Sequence, residues 1–202
     1  MKQKTETKRQ AIVDEAARLF RAVGYERASM AELCARVGGS KATIYNYFSS
    51  KEELFSEVML KSTEDEFEAL HASLDSAPDD IGEALRRFGE HFLGFLYSPE
   101  VQATRHLAIS QSKHSELGRH IYQRGVLRSQ NLIAQFLECS MSAGKLVQTN
   151  PEIATRHLVS LLESEFIDRF LFHLPGEVSK KQIKQGTARA VEVFLLAYAP
   201  RS

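Results

Sequence analysis

The sequence predicts an all-α protein: an N-terminal three-helix head followed by a larger C-terminal helical bundle. Apolar residues recur at helical spacing along most of the 202 residues, and prolines and glycines fall at the ends of the periodic stretches. No strand-like alternation competes with these stretches, and no repeat of 20 to 50 residues suggests a solenoid. With 43% hydrophobic content the chain can bury a substantial core, so a disordered chain is excluded.

The first helix is expected over Lys8–Val23, where Ile12, Ala16, Leu19, Phe20 and Val23 share one face and Gly24 supplies the C-terminal cap. Ser29 and Glu32 form a capping-box pattern that opens a short helix over Met30–Val37, closed by Gly38 and Gly39. Ser40 is the N-cap of a third, and the Ser50–Glu53 pattern starts a fourth ten residues later. Three helices within about 40 residues, the last two joined by a tight glycine turn, are the layout of a helix-turn-helix unit. Longer helices are expected over 51–75, 80–97, 100–112, 115–141, 151–173 and 180–198, with Pro78, Pro99, Gly144, Pro175 and Gly176 at their boundaries. The last two are rich in apolar residues, which suits either a large core or a surface that meets its copy in a homodimer.

Formal charge is zero overall but unevenly spread. Residues 1–51 hold ten Lys and Arg against five Asp and Glu, a net +5, and residues 52–202 hold 16 against 21, a net −5. A basic head on an acidic body fits a protein that touches phosphate at one end. The start MKQKTETKRQ has no apolar signal region and no run of about 18 apolar residues occurs, so the expected location is the cytoplasm and no membrane partner is expected. Cys34 and Cys139 lack the spacing of a zinc site or a disulfide framework, and Cys34 reads most simply as a small buried residue.

The stretch SKATIYNYFSSKEELF, residues 40–55, is the most informative. Ile44 and Phe48 share a buried face, which turns Lys41, Thr43, Tyr45, Asn46 and Tyr47 outward. In a helix-turn-helix such a surface enters the major groove. Lys41 suits a guanine edge or a phosphate, Ala42 and Thr43 a thymine methyl, Asn46 an adenine, and the tyrosine hydroxyls a phosphate. Ser29 and Lys51 sit at helix N-termini, where backbone N–H groups favour an anion. Taken singly, either tyrosine also fits half-buried packing and Lys41 a solvated lysine. The constellation carries the reading.

Residues 8–55, through AARLF, GYERAS, AELCARVG, TIYNYF and SKEEL, resemble the DNA-binding domain of the TetR family of bacterial transcriptional regulators. The resemblance implies that Ser29, Lys41, Ala42, Thr43, Tyr45, Asn46, Tyr47 and Lys51 contact operator DNA, with Tyr45, Tyr47 and Lys51 on phosphates. Gly39 stands where the family has Val or Ala, and Cys34 where it has Ala. The resemblance further implies a homodimer, whose surface the apolar residues suggest on the last two helices at about 151–173 and 180–198, and a C-terminal part that binds an unknown small-molecule ligand. The expected division is 1–51 for DNA binding and 52–202 for ligand binding and dimerisation. The segment RHLAISQSKHSELGRHIYQRG resembles the AefR-like type of regulatory domain.

Phe88, His91, Phe92, Phe95, His106, Phe136, Leu162, Phe166 and Phe170 occur on helices expected to surround the bundle interior, where each suits ligand contact or core packing. The spacing of His106, His114 and His120 matches neither an i, i+4 pair nor HExxH, so no metal is expected. No cofactor is expected, and with no GxSxG, P-loop or GxGxxG an enzyme is not expected either. The expected function is a dimeric repressor that reads a palindromic operator and is released by its ligand. A helical homodimer serving only protein interaction, without a specific operator, is the other reading.

Overall fold

The computed structural model describes residues 2–38, 41–75 and 79–200, and all regular structure there is helical. Gly39 and Ser40, expected in the turn, and Pro78, expected at a boundary, lie outside the described residues. The chain divides into two compact units, residues 1–64 with 104–125, and residues 65–103 with 126–202.

In the first unit, α1 (Lys2–Arg27) starts six residues before the expected position and continues past a break at Gly24, whose φ of 78° is available to glycine at little cost. Helix α2 (Met30–Val37) ends where Gly38, at φ 69°, returns its N–H to the Cys34 carbonyl. Helix α3 (Lys41–Tyr45) is followed by α4 (Lys51–Ser62). Ile12, Ala16, Leu19, Leu33, Ile44, Phe48, Leu54 and Val58 form the core, and α4 packs on α1, so this unit's packing extends past residue 51. Residues 104–125 add the end of α7 (Pro99–Gln111) and α8 (Leu117–Ile121), with Leu117 fully buried in that core.

In the second unit, α5 (Glu64–Asp75), α6 (Ile81–Leu96), α9 (Leu127–Ser142), α10 (Pro151–Glu163), α11 (Ile167–Leu171) and α12 (Lys180–Tyr198) surround a core containing Leu85, Phe88, Leu93, Leu137, Leu158, Leu162, Phe170 and Phe194. Helix α6 packs on α12, and α10 on both α9 and α12. Gly89 permits this approach, because a Cβ there would lie 2.7 Å from Leu162 Cδ2 and from Thr187 Cγ2.

Three expected helices are interrupted. The 51–75 stretch breaks at Thr63, where Ser62 Oγ donates to the Met59 carbonyl at 2.8 Å and Thr63 Oγ1 to the same carbonyl at 3.2 Å. The 151–173 stretch breaks after Glu163, where Ser164 Oγ donates to the Leu161 carbonyl at 2.7 Å. In both places hydroxyls occupy carbonyls that a continuing helix uses. The 115–141 stretch contains a π-helical turn, Tyr122–Val126, between α8 and α9.

Candidate nucleic-acid interface and ligand cavity

The short α3 sits between two well-anchored neighbours. Ser29 Oγ accepts the Glu32 N–H at 3.1 Å and Ser50 Oγ the Glu53 N–H at 3.1 Å, so both expected N-caps form. Neither capping box closes as its pattern suggests. Glu32 pairs with Arg36 at 2.7 Å, and Glu53 accepts from the Ser49 N–H and hydroxyl at 2.8 and 2.7 Å. Burial pushes the Glu53 carboxyl up, but the Ser49 hydrogen bonds overcome this and leave its pKa lowered.

Ile44 and Phe48 are buried, and Tyr47, expected to turn outward, is instead packed partly against the same core, because it follows Ile44 by three residues and shares part of its face. Lys41, Ala42, Tyr45 and Asn46 are exposed, while Thr43 and Tyr47 are half-buried. Asn46 and Tyr47 lie just past α3, in a turn closed by N–H bonds to the Ala42 and Ile44 carbonyls at 3.1 and 3.0 Å. The Lys41 Nζ stands 5.7 Å from the Tyr45 ring centre, one turn away. Of the eight residues expected at DNA, Lys41, Ala42, Thr43 and Tyr45 lie on α3 and Asn46 and Tyr47 in the turn after it, while Ser29, exposed, and Lys51 stand at the starts of α2 and α4.

Lys51 occupies a different environment. It is half-buried, its Nζ donates to the Tyr25 carbonyl at 3.0 Å and the Ala28 carbonyl at 3.3 Å, and it stands 4.2 Å from the Tyr25 ring centre. The Tyr25 hydroxyl in turn donates to Glu52 Oε1 at 3.2 Å, and burial, with the Glu52 charge, raises the Tyr25 pKa. Lys51 thus ties the start of α4 to the end of α1 and to Ala28 just after it. A second tie is Glu57, which meets Arg9 at 2.7 Å and Arg124 at 2.5 Å. Burial works against its ionisation, but these two guanidinium groups hold its carboxyl low.

The second unit contains a cavity of about 710 Å³ lined by residues of α5, α6 and α9 and by Lys145. Its wall combines Phe67, Leu132 and Phe136 with His71, Arg128 and Lys145. Of the nine residues considered for a ligand from the sequence, Phe136 lines this cavity. Phe88, Phe92, Leu162, Phe166 and Phe170 are buried in the core cluster, and Phe95 packs against it. His91 is exposed on α6, and His106 belongs to the first packing unit.

His71 is the cavity residue that sequence reasoning missed most plainly. It is buried, with Nδ1 at 2.8 Å from the Phe67 carbonyl and Nε2 at 2.9 Å from Ser129 Oγ. Burial lowers its pKa and the nearby Arg128 charge adds to that effect, against the bond to Phe67. The signal lay in spacing: Arg128, Leu132, Gln135, Phe136, Cys139 and Ala143 follow one stripe of α9 and its end, and Phe67 and His71 one turn of α5.

A basic helix-turn-helix head joined in one chain to an all-helical bundle defines a DNA-binding regulator. Residues 12–58 match the family model described as bacterial regulatory proteins, tetR family, and residues 83–200 the model described as AefR-like transcriptional repressor, C-terminal domain. The chain belongs to the TetR family of transcriptional regulators, which are not enzymes. A TetR-family transcriptional regulator from Mesorhizobium loti MAFF303099 is 25% identical, with 97% of this chain and 98% of that one covered at a TM-score of 0.80. The flavonoid-responsive regulator FrrA is 27% identical, with 98% and 100% covered at a TM-score of 0.73. The fold alone is shared with a TetR transcriptional regulator from Agrobacterium tumefaciens, 22% identical, with 96% and 95% covered at a TM-score of 0.69. No curated protein matches the chain. Among the described residues no helix is long and apolar enough to cross a membrane.

Proposed function

We propose that this regulator is a cytoplasmic repressor that binds a palindromic operator as a homodimer and is released by a small organic ligand. The observation that carries the DNA reading is the exposed set Lys41, Ala42, Tyr45 and Asn46 beside buried Ile44 and Phe48. Lys41 and Asn46 read bases; Thr43 and Ala42 meet thymine methyls; Tyr45, Tyr47, Ser29 and Lys51 hold phosphates. Residues 1–51 are the DNA-binding part and 52–202 the ligand-binding and dimerising part.

The dimer reading rests on apolar side chains exposed on and beside α10, α11 and α12: Ile153, Leu171, Phe172, Leu174, Val193 and Leu196, the last 82% exposed. Two copies joined there present two heads, which must stand about 34–36 Å apart to enter successive major grooves. The ligand reading rests on the cavity of about 710 Å³ and on the likeness to a flavonoid-responsive regulator. Release requires the ligand to favour a conformer with the wrong head spacing, and moving occupancy from mostly bound to mostly free takes about 5.5 kcal/mol of differential binding.

Single substitutions test the interface. Tyr45→Ala weakens binding to every DNA sequence, whereas Lys41→Ala or Asn46→Ala also changes the preferred sequence, by about 1–3 kcal/mol at the affected position. Unchanged affinity and preference in all three variants would exclude this surface as the reader.

A further inference from the structure

The charged groups that line the cavity of the second unit come in pairs. Lys145 Nζ meets Asp79, outside the lining, at 3.2 Å. Arg128 meets Glu68 at 4.0 Å, its guanidinium carbon stands 4.5 Å from the Phe67 ring centre, and it has a further partner besides. Each cation is therefore matched by a carboxylate, and an entering ion meets no excess of the opposite sign.

The buried polar groups of the wall are satisfied from within the protein. His71 meets the Phe67 carbonyl at 2.8 Å through Nδ1 and Ser129 Oγ at 2.9 Å through Nε2, and Ser140 Oγ donates to the Phe136 carbonyl at 2.9 Å. Burial, with the Arg128 charge, holds the His71 pKa below its ordinary value, so the imidazole is neutral at pH 7.5. A charged group brought against this wall loses water and gains no buried partner in return. Apolar surface, by contrast, remains to be covered: Ile81, Leu132 and Phe136 line the cavity and are only half-buried. Gln135, exposed on the same stripe of α9, adds a neutral amide with both donor and acceptor.

We infer that the cavity takes an uncharged organic molecule, its apolar body against Ile81, Leu132 and Phe136 and a carbonyl or hydroxyl on the Gln135 amide. This rests on the reading of the second unit as ligand-binding and specifies the ligand class. The cavity's volume of about 710 Å³ lies within the ordinary range for small-molecule sites, about 300–1,000 Å³. A carboxylate ligand has to displace Glu68 or Asp79 from an existing pair, and an ammonium ligand meets Arg128 and Lys145. A neutral molecule of the same shape does neither, and it keeps the gain from covering the apolar wall. Gln135 is the position at which this selectivity can be changed, because a cation placed there adds a charge to the lining beyond the existing pairs.

The test is calorimetric titration of the purified full chain at pH 7.5 with three probes of one shape: 2-acetylnaphthalene, which is neutral, 2-naphthoate, an anion, and 2-naphthylmethylamine, a cation at that pH. It is repeated on Gln135→Arg and Gln135→Leu, whose unchanged thermal midpoints show that substitution at this exposed position leaves the fold intact. The expected result is binding of the ketone about tenfold tighter, or more, than of either ion. Gln135→Arg narrows the gap between ketone and naphthoate about fivefold, and Gln135→Leu weakens the ketone about threefold without admitting either ion. Naphthoate or the amine binding as tightly as the ketone in the unsubstituted protein overturns the uncharged class while leaving a ligand cavity in place. Unchanged selectivity in Gln135→Arg puts the probes outside this cavity and overturns the inference, and unchanged ketone binding in Gln135→Leu overturns the part assigned to the amide. Binding of none of the three at millimolar concentration overturns the inference and counts against the ligand-binding reading as well.

Discussion

Replacing Lys51 with methionine separates the internal contacts of its ammonium from the phosphate contact proposed for it. The Nζ donates to the Tyr25 and Ala28 carbonyls at 3.0 and 3.3 Å and lies 4.2 Å from the Tyr25 ring. A hydrogen bond from a charged donor contributes about 1.5–3 kcal/mol. The second, longer bond contributes less, and the contact with the ring about 0.5–1 kcal/mol at a partly exposed site. Methionine keeps most of the apolar stem and loses less side-chain freedom on folding, which offsets part of the loss. The net expectation is a destabilisation of about 2 kcal/mol, equivalent to a fall in Tm of about 4–8 °C for a chain of this size. Urea unfolding of Lys51→Met beside the unsubstituted protein reads the stability. DNA binding across a salt series, at a temperature where both are folded, reads the other role: loss of one phosphate contact lowers the salt slope by about 1. A change in stability below 0.5 kcal/mol would refute the reasoning from the two carbonyls, whatever the DNA affinity did.

Further outcomes follow from the second unit. The His71 pKa is held below its ordinary 6.5 chiefly by burial, so as pH falls the unfolded chain takes up that proton before the folded one. Stability is fully present above about pH 6.5 and declines as pH drops towards the folded pKa. Denaturation midpoints between pH 7.5 and 5 check this, and His71→Gln flattens that part of the profile. Leu196→Glu changes a side chain that is 82% exposed, so it leaves the fold of one chain within about 0.5 kcal/mol. If the proposed dimer forms through this face, the same change is expected to break it, seen as a halved mass in sedimentation and a loss of operator affinity. A dimer that survives Leu196→Glu and Phe172→Glu together would place the interface elsewhere.

Much of the head was legible because its signals are local. Ile44 and Phe48, four residues apart, report the buried face of the recognition segment, and Ser29, Gly38 and Ser50 mark its boundaries by backbone chemistry that needs no tertiary context. What stayed hidden depends on long-range packing. Lys51 has the pattern of an exposed N-terminal lysine, yet its partners are Tyr25 and Ala28, 26 and 23 residues away. The breaks at Thr63 and Ser164 come from hydroxyls that turn back on the preceding carbonyls, a choice that helical periodicity does not encode. The aromatic residues of α6 suit core packing more than ligand contact by sequence, and Phe88 and Phe92 are in the core, where Gly89 lets α6 approach α10 and α12. The cavity formed instead between α5 and α9, where a histidine and an arginine, 57 residues apart in sequence, share a wall.

The central claim is that the α3 surface reads a particular DNA sequence. The most direct measurement is binding of the purified protein to the DNA immediately upstream of its own gene and to the best sequence from a random-sequence selection. It is made at about 0.15 M salt with excess nonspecific competitor, with Tyr45→Ala as the control. Saturable binding to at least one of these DNAs that survives competitor and is lost in Tyr45→Ala is the result expected. Loss of binding to both DNAs when competitor is added, or binding indifferent to the Tyr45 substitution, would contradict the account.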